Sequence, residues 1–338
     1  MTDTFGRVHN YLRMSLTEKC NFRCQYCMPA EGVDLTPKPQ LMTADERKRT
    51  LQLFGDVGVT KVRFTGGEPT LSRDLEGLVR YAANMPGIQS VGMTTNGFHL
   101  TEKVQGLKEA GLTSVNISLD TLDPTKFATL TRRRPAALRK VLASVYAAKA
   151  AGMHNVKINC VLMKGVNDDE VPTFLQLGRE AEVDVRFIEF MPFSGNNWEA
   201  KQQLIPYKDV LNGLHAEGIH LEALQSPDPH DTTKWFTQPD VDPMASKVGF
   251  ITSMSQHFCG ACNRVRITAD GRFRSCLFGK ESDGFSLTEA FRAGSTDADL
   301  HGLVSGALGK KHASLGGHTV QKLGEEGMSD RPMVLIGG

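Results

Sequence analysis

The sequence has no marked excess of either charge, no long apolar run, no low-complexity tract and no short internal repeat. Its 39 basic residues are offset by 38 acidic ones, a formal charge of +1. That balance excludes the strongly basic footprint of a nucleic-acid coat protein but leaves room for a local cationic pocket. No window is apolar for the length a membrane span needs. The opening "MTDTFGRVHNYLRMSLTEKC" holds no apolar signal core and no Arg- and Ser-rich transit pattern, so a soluble protein without nucleic-acid or membrane partners is expected. With 338 residues, 40% apolar and 23% charged, the chain can bury the core of one large barrel or of two medium domains.

Cysteine is present in an odd number, seven, and six of them fall in two clusters, a poor fit to a disulfide framework. In a chain without secretory signals such clusters read as metal or redox sites. Each cluster lacks a fourth member: Cys20, Cys24 and Cys27 are spaced C-x3-C-x2-C, and Cys259, Cys262 and Cys276 are spaced C-x2-C-x13-C. Three thiolates on an iron–sulfur cubane leave one iron for a small molecule, as a catalytic zinc keeps one open position. Spacing alone also allows structural zinc, with a distant fourth ligand for the first triad and His257 for the second. Cys160 reads as a buried strand residue without a role.

Along the chain a strand-then-helix rhythm recurs. Apolar or β-branched runs lie at 11–16, 61–66, 90–95, 114–120, 156–162 and 184–190, with helical periodicity at 43–57, 70–84, 100–110, 135–151 and 168–181. Thr43 and Glu46 form a capping-box pattern, and Gly58, Gly111 and Gly152 stand where helices would end. Strands alternating with helices predict an α/β fold with a parallel sheet, and six such units fit a partial (β/α)6 TIM-type barrel. The segments "TGGEP", "TTNG", "SLD" and "EFMP" fall at the carboxyl ends of the strands, the edge where ligands bind. After Met191 the rhythm stops. Loop-like stretches surround a helix at 207–217, strand runs at 248–253, 264–268 and 272–277, and helices near 287–308. Residues 1–224 are therefore read as the barrel and 225–338 as a C-terminal extension holding the second triad.

Other features bear on a ligand. Gly66 and Gly67 in "GGEP" let backbone approach a ligand closely. Arg264 and Arg266 alternate on one strand and so share a face, suited to bidentate recognition of a polyanion such as a triphosphate. Arg13, Arg63, Lys157 and Arg186 sit in or beside four other strands, where an unpaired cation is costly to bury, and together they suggest a cationic chamber. The Gly337–Gly338 terminus can thread into a narrow site, and the apolar "MVLI" before it argues for an anchored tail.

The C-x3-C-x2-C triad, Tyr26 and the GGEP after the next strand resemble the radical S-adenosylmethionine (SAM) enzymes. Over essentially its whole length, from "YLRMSLTEKCNFRCQYCMP" through "RFTGGEPT", "NISLDTL", "VKINCVLMKGVNDDE" and "SMSQHFCGACNRVRITADG" to "LIGG", the chain resembles the GTP 3′,8-cyclase branch, in wording nearer its eukaryotic members. The resemblance implies that Cys20, Cys24 and Cys27 hold a [4Fe–4S] cluster that cleaves SAM, with Tyr26, Gly67, Ser118 and Met191 contacting the cofactor. It implies a second [4Fe–4S] cluster on Cys259, Cys262 and Cys276. It assigns GTP contacts to Arg13, Arg63, Thr94, Lys157, Arg186, Arg264, Val265 and Arg266, and a part in catalysis to Arg264, Arg266, Gly337 and Gly338. The implied reaction removes hydrogen from ribose C3′, joins that carbon to guanine C8 and needs an electron and a proton to finish. It gives (8S)-3′,8-cyclo-7,8-dihydroguanosine 5′-triphosphate, first step of molybdenum cofactor biosynthesis. The implied partners are an external one-electron reductant and the next enzyme, cyclic pyranopterin monophosphate synthase. The assembly is left open, a homodimer included. The implied compartment is the mitochondrial matrix in a eukaryote and otherwise the cytoplasm. A peptide-modifying enzyme of the same superfamily, or a non-catalytic iron–sulfur carrier, are the alternatives.

Overall fold

The computed structural model describes residues 1–191, 193, 203–320 and 331–337. The expected strands form as β1 (Tyr11–Ser15), β2 (Lys61–Thr65), β3 (Ser90–Thr95), β4 (Ser114–Ser118), β5 (Asn155–Leu162) and β6 (Asp184–Glu189), parallel and in sequence order. Crossovers hold α1 (Ala44–Asp56), α2 (Leu75–Ala83), α3 (Leu100–Glu109), α4 (Pro124–Thr131), α5 (Ala137–Ala150) and α6 (Val171–Ala181). The capping box that starts α1 is made: Glu46 N–H donates to Thr43 Oγ1 at 3.2 Å, and Thr43 N–H donates to Glu46 Oε2 at 2.7 Å. Gly58, Gly111 and Gly152 all take left-handed φ just past their helices. α4 was not legible from periodicity. Its start is nonetheless written as Asp123-Pro124: Asp123 Oδ1 accepts from the N–H groups of Thr125 and Lys126 at 2.7 Å.

The rest of the chain contributes α7 (Tyr207–Ala216), β7 (Glu222–Leu224), β8 (Thr233–Thr237), β9 (Val248–Ile251), β10 (Arg264–Ile267), β11 (Phe273–Arg274), α8 (Leu287–Arg292), α9 (Asp297–Gly309) and the short α10 (Met333–Ile336). All described strands join one curled sheet in the order β11-β10-β1-β2-β3-β4-β5-β6-β9-β8-β7. β10 lies parallel to β1 and β9 parallel to β6, so the later residues extend both edges of the six-stranded core. The stretch after 225 expected to be loop contains β8, paired antiparallel to β7 and β9. Thr233, Trp235 and Thr237 are its buried positions, a period-2 pattern obscured by the Pro and Asp residues on both sides.

The two faces of the sheet differ in kind. Toward the helices point Leu12, Met14, Phe64, Met93, Val115, Ile117, Ile158 and Cys160, each fully buried in the main apolar core. The register puts the alternate residues, among them Arg13, Arg63, Asn116, Lys157 and Arg186, on the concave face. A parallel sheet normally buries apolar residues on both faces. Here the inner face is polar and cationic, so its desolvation must be offset by hydrogen bonds within the protein or by a ligand.

Candidate active site

The strand cations come together, though not as equally free charges. Arg63 donates to Tyr11 Oη at 2.7 Å, to the Met93 carbonyl at 2.9 Å and to Ser114 Oγ at 3.2 Å. Arg186 grips Asn159 Oδ1 through Nε and a terminal nitrogen. Lys157 forms an ion pair with Asp184 at 2.7 Å and lies over the Trp235 ring. Arg13 is matched in register with Arg63 on one side and Arg266 on the other. Burial, then the charges of Arg63 and Arg264, pull Arg13 down to about 10 against an opposite pull from Tyr11. Arg266 is buried and pushed well below its ordinary value by burial, Arg13 and Arg264. Arg264 stacks over Phe258 at 4.9 Å, and one of its terminal nitrogens is buried without a hydrogen-bond partner among the described residues. Thr94 Oγ1 is likewise buried and has no such partner among the described residues. Three neighbouring guanidiniums, of which Arg13 and Arg266 are depressed by burial and by adjacent cations, are a site for anionic oxygens. Val265 is different: its side chain is fully buried in the core behind the sheet, so only its backbone can face the chamber.

The first triad sits on the loop leaving β1. Its thiols are free and raised chiefly by burial: Cys27 to about 12, with the charges of Cys20 and Asp120 adding, Cys24 well above its ordinary value, with Asp120 and the other two thiols adding, and Cys20 to about 11. Phe22 N–H donates to Cys20 Sγ at 3.3 Å. The GGEP glycines serve this loop in a way the sequence did not announce. Gly67 N–H donates to the Thr17 carbonyl at 2.6 Å and Glu68 N–H to the Lys19 carbonyl at 2.8 Å. A Cβ on Gly67 would lie 2.4 Å from the Lys19 carbonyl oxygen. The close approach is thus to the chain's own backbone just ahead of Cys20. Glu68 is fully buried and accepts from Thr70, Thr95 and the Asn96 N–H. Tyr26 donates to Asp120 Oδ2 at 2.8 Å, and burial pushes that carboxyl up to about 6. Ser118 ends β4, half-buried.

The second triad, Cys259, Cys262 and Cys276, is also made of free thiols, and Cys259 is raised by burial first and then by the charges of Cys276 and Cys262. Cys262 goes the other way, to about 7: burial pushes it up, but Arg264 and Lys311 pull it further down. Leu315 N–H donates to Cys259 Sγ at 3.4 Å. His257 is exposed. Among the described residues, no group of three or more His, Cys, Asp or Glu side chains could hold a single metal ion.

The C-terminal segment lies between the triads. Val334 and Leu335 of α10 pack with Met28, against Cys20 and Cys27. Ile336 packs with Phe193, Met254, Phe278 and Leu315, against Met191, Cys259 and Cys276. Gly337 then enters the sheet's inner face, where its carbonyl accepts from Thr65 Oγ1 at 3.1 Å and Arg266 at 3.4 Å. Gly338 lies outside the described residues. Arg331 ties the segment to Asp270 at 3.1 Å and to buried Glu18 at 3.8 Å.

Residues 14–178 match the model of the radical SAM superfamily, and residues 183–316 that of Molybdenum Cofactor Synthesis C. All of the chain aligns with the mitochondrial GTP 3′,8-cyclase of Arabidopsis thaliana, 46% identical over 338 residues and covering 83% of that protein. The chain belongs to the GTP 3′,8-cyclase family. A bacterial GTP 3′,8-cyclase, from Listeria welshimeri, is 40% identical over 83% of both chains. Molybdenum cofactor biosynthesis protein 1 of Mus musculus is 45% identical over the whole of this chain, which spans about half of that longer protein (51%). Among solved structures, Streptococcus suis SuiB bound to its precursor peptide shares the fold at a TM-score of 0.56 and 16% identity, over 80% of this chain and 60% of that one.

Membership in a radical SAM family implies a 4Fe–4S cluster and SAM, and the GTP 3′,8-cyclase family shares that requirement. The first triad fits the cluster by its donor set: free thiols near one another, one sulfur already accepting a backbone N–H. Each iron of a cubane takes one thiolate, so the ligands need not converge on one point. Sequence reasoning about this GTP 3′,8-cyclase family member missed Tyr11, Lys61 and the first ten residues. Tyr11 is drawn down to about 7: burial opposes this, but Arg63, Arg13 and Lys61 outweigh it. Its alternation with Arg13 on β1 was the available signal. No helix among the described residues is long and apolar enough to cross a membrane.

Proposed function

We propose that this protein converts GTP to (8S)-3′,8-cyclo-7,8-dihydroguanosine 5′-triphosphate, the first step of molybdenum cofactor biosynthesis. The observation that best supports this is Gly337, held by Thr65 and Arg266 on a cationic face, on a segment whose side chains pack against both cysteine triads. Arg13, Arg264 and Arg266 bind the triphosphate, Arg63, Lys157 and Arg186 complete the field around it, and Thr94 donates to the substrate. Cys20, Cys24 and Cys27 hold the cluster that works with SAM, and Tyr26, Gly67, Ser118 and Met191 line the SAM site. When bound, that pair supplies the radical chemistry that takes hydrogen from ribose C3′. Cys259, Cys262 and Cys276 hold a second [4Fe–4S] cluster. The arginines orient ribose and base so that C3′ faces C8, and the Gly337–Gly338 end with the apolar α10 side chains keeps water from the reacting carbons.

Residues 1–224 act as the barrel and 225–338 as the auxiliary region. An external one-electron donor serves the protein, and cyclic pyranopterin monophosphate synthase takes the product. The mitochondrial matrix is the compartment in a eukaryotic source. The test is anaerobic incubation of the reconstituted protein with GTP, SAM and dithionite, with the nucleotide product identified by mass and NMR. A 3′,8-cyclised nucleotide formed with 5′-deoxyadenosine is expected. Deoxyadenosine without a new nucleotide would overturn the assignment.

A further inference from the structure

Lys311 belongs to none of the motifs above, yet its ammonium lies at the second triad. Its Nζ is 3.6 Å from Cys262 Sγ and 3.2 Å from the Arg264 carbonyl, and the residue is only 5% exposed. Those two atoms are its hydrogen-bond partners among the described residues. The segment that carries it is strapped down. Arg7, ion-paired with Asp3 at 2.6 Å, donates to the carbonyls of Cys259 at 2.9 Å, His312 at 2.9 Å and Ala313 at 2.7 Å. Leu315 N–H donates to Cys259 Sγ, which closes the strap on the same triad. A buried cation has thus been fixed against a ligand sulfur by groups from both ends of the chain.

We propose that Lys311 sets the electron affinity of the second cluster, and that Arg7 positions the 311–315 segment so that it can. This rests on the reading of Cys259, Cys262 and Cys276 as cluster ligands. Reduction of a [4Fe–4S] cluster by an external low-potential donor adds one electron and one negative charge, with no bond made or broken. A fixed positive charge within hydrogen-bond distance of a ligand sulfur stabilises the reduced state more than the oxidised one. Lys311 therefore makes the second cluster easier to reduce than the same cluster beside a neutral residue would be.

The test compares anaerobic holoenzyme with Lys311→Met, Lys311→Gln and Lys311→Arg. Iron and sulfide assays count clusters, and EPR-monitored titration with dithionite reads each one, the SAM-responsive signal marking the first. In the Met and Gln variants the reduced-to-oxidised ratio of the second cluster should fall at least tenfold at a fixed poise, about 59 mV for a one-electron couple. The first cluster should be unmoved, and the Arg variant should keep the wild-type ratio. An unchanged ratio with both clusters present overturns the proposal, as does an equal shift in both. Loss of the second cluster from both neutral variants assigns Lys311 to assembly and also overturns the tuning role. Wild-type protein that holds one cluster only refutes the underlying reading instead.

Discussion

Replacing Gly337 by Ala should uncouple radical formation from cyclisation. Gly337 has φ +84, a left-handed conformation, and a Cβ there would sit 2.7 Å from Ser15 Cβ and 3.0 Å from Thr65 Oγ1. The backbone term is roughly 1–2 kcal/mol for an L-residue. The contact with Ser15 cannot be relieved by a rotamer, because Cβ moves only with the β1 backbone, and overpacking of that kind costs about 1–3 kcal/mol. Taking about 3 kcal/mol in total, docking of the tail weakens roughly a hundredfold. The assay is the ratio of cyclised nucleotide to 5′-deoxyadenosine in single-turnover reactions without oxygen, with carboxypeptidase release of the terminal residues as a measure of docking. The Ser15→Gly change removes the shortest contact and leaves the backbone part and the Thr65 contact, so the double variant should recover about tenfold of the loss. Wild-type coupling in Gly337→Ala, or a double variant no better than the single one, would refute the reasoning about this contact.

Other substitutions test other parts of the site. Arg266→Ala should weaken GTP binding about ten- to a hundredfold, since one charge-assisted contact is worth about 1.5–3 kcal/mol, while SAM cleavage persists; unchanged affinity by anaerobic calorimetry would misplace the chamber. Gly67→Ala forces a Cβ to 2.4 Å from a backbone oxygen ahead of Cys20; the first cluster should be lost and the second kept, and full iron occupancy would show that the loop can yield. His9 is fully buried against Asp3, and burial, then Lys311, lowers it to about 4. The unfolded chain therefore takes up a proton near its ordinary 6.5 that the fold refuses until about 4, so stability is lost as pH falls through that window. The loss should be about 2 kcal/mol between pH 7 and 5. Urea midpoints should show it, and His9→Gln should remove it; equal pH dependence in the variant sinks the assignment.

Much of this was legible because two periodicities are written in the chain. The six core strands each alternate, and the alternation that buries Leu12, Phe64 and Ile158 also sends Arg13, Arg63 and Lys157 to the other face. A cation repeated on that face from strand to strand is a local signal, so the chamber could be inferred without coordinates. What each cation does there is not local. Lys157 meets Asp184 only because β5 pairs with β6 in one register, and Arg63 reaches Ser114 across β3, where Gly92 leaves room. Val265 shows the converse. Its neighbours Arg264 and Arg266 alternate on β10 as expected, and the same alternation turns Val265 into the core.

The Asp3–Arg7–His9 network had no signal at all, since nothing in "MTDTFGRVHN" marks a residue that will meet Cys259 across 252 positions of chain. That network changes how the second triad should be regarded. Arg7 is saturated by one carboxylate and three carbonyls, so it contributes little field to the thiols and a great deal of geometry. Lys311, with a thiol and one carbonyl, keeps its charge directed at sulfur. The two cations therefore separate position from potential. Arg7→Lys should loosen the strap and lower cluster occupancy, because a point charge cannot span three carbonyls. In the fraction that still holds the cluster, the reduced-to-oxidised ratio should fall by less than in Lys311→Met, because the lysine keeps its charge and only its placement loosens. A wild-type ratio would show that Arg7 does not position Lys311, and one shifted as far as in Lys311→Met that the two charges act as one.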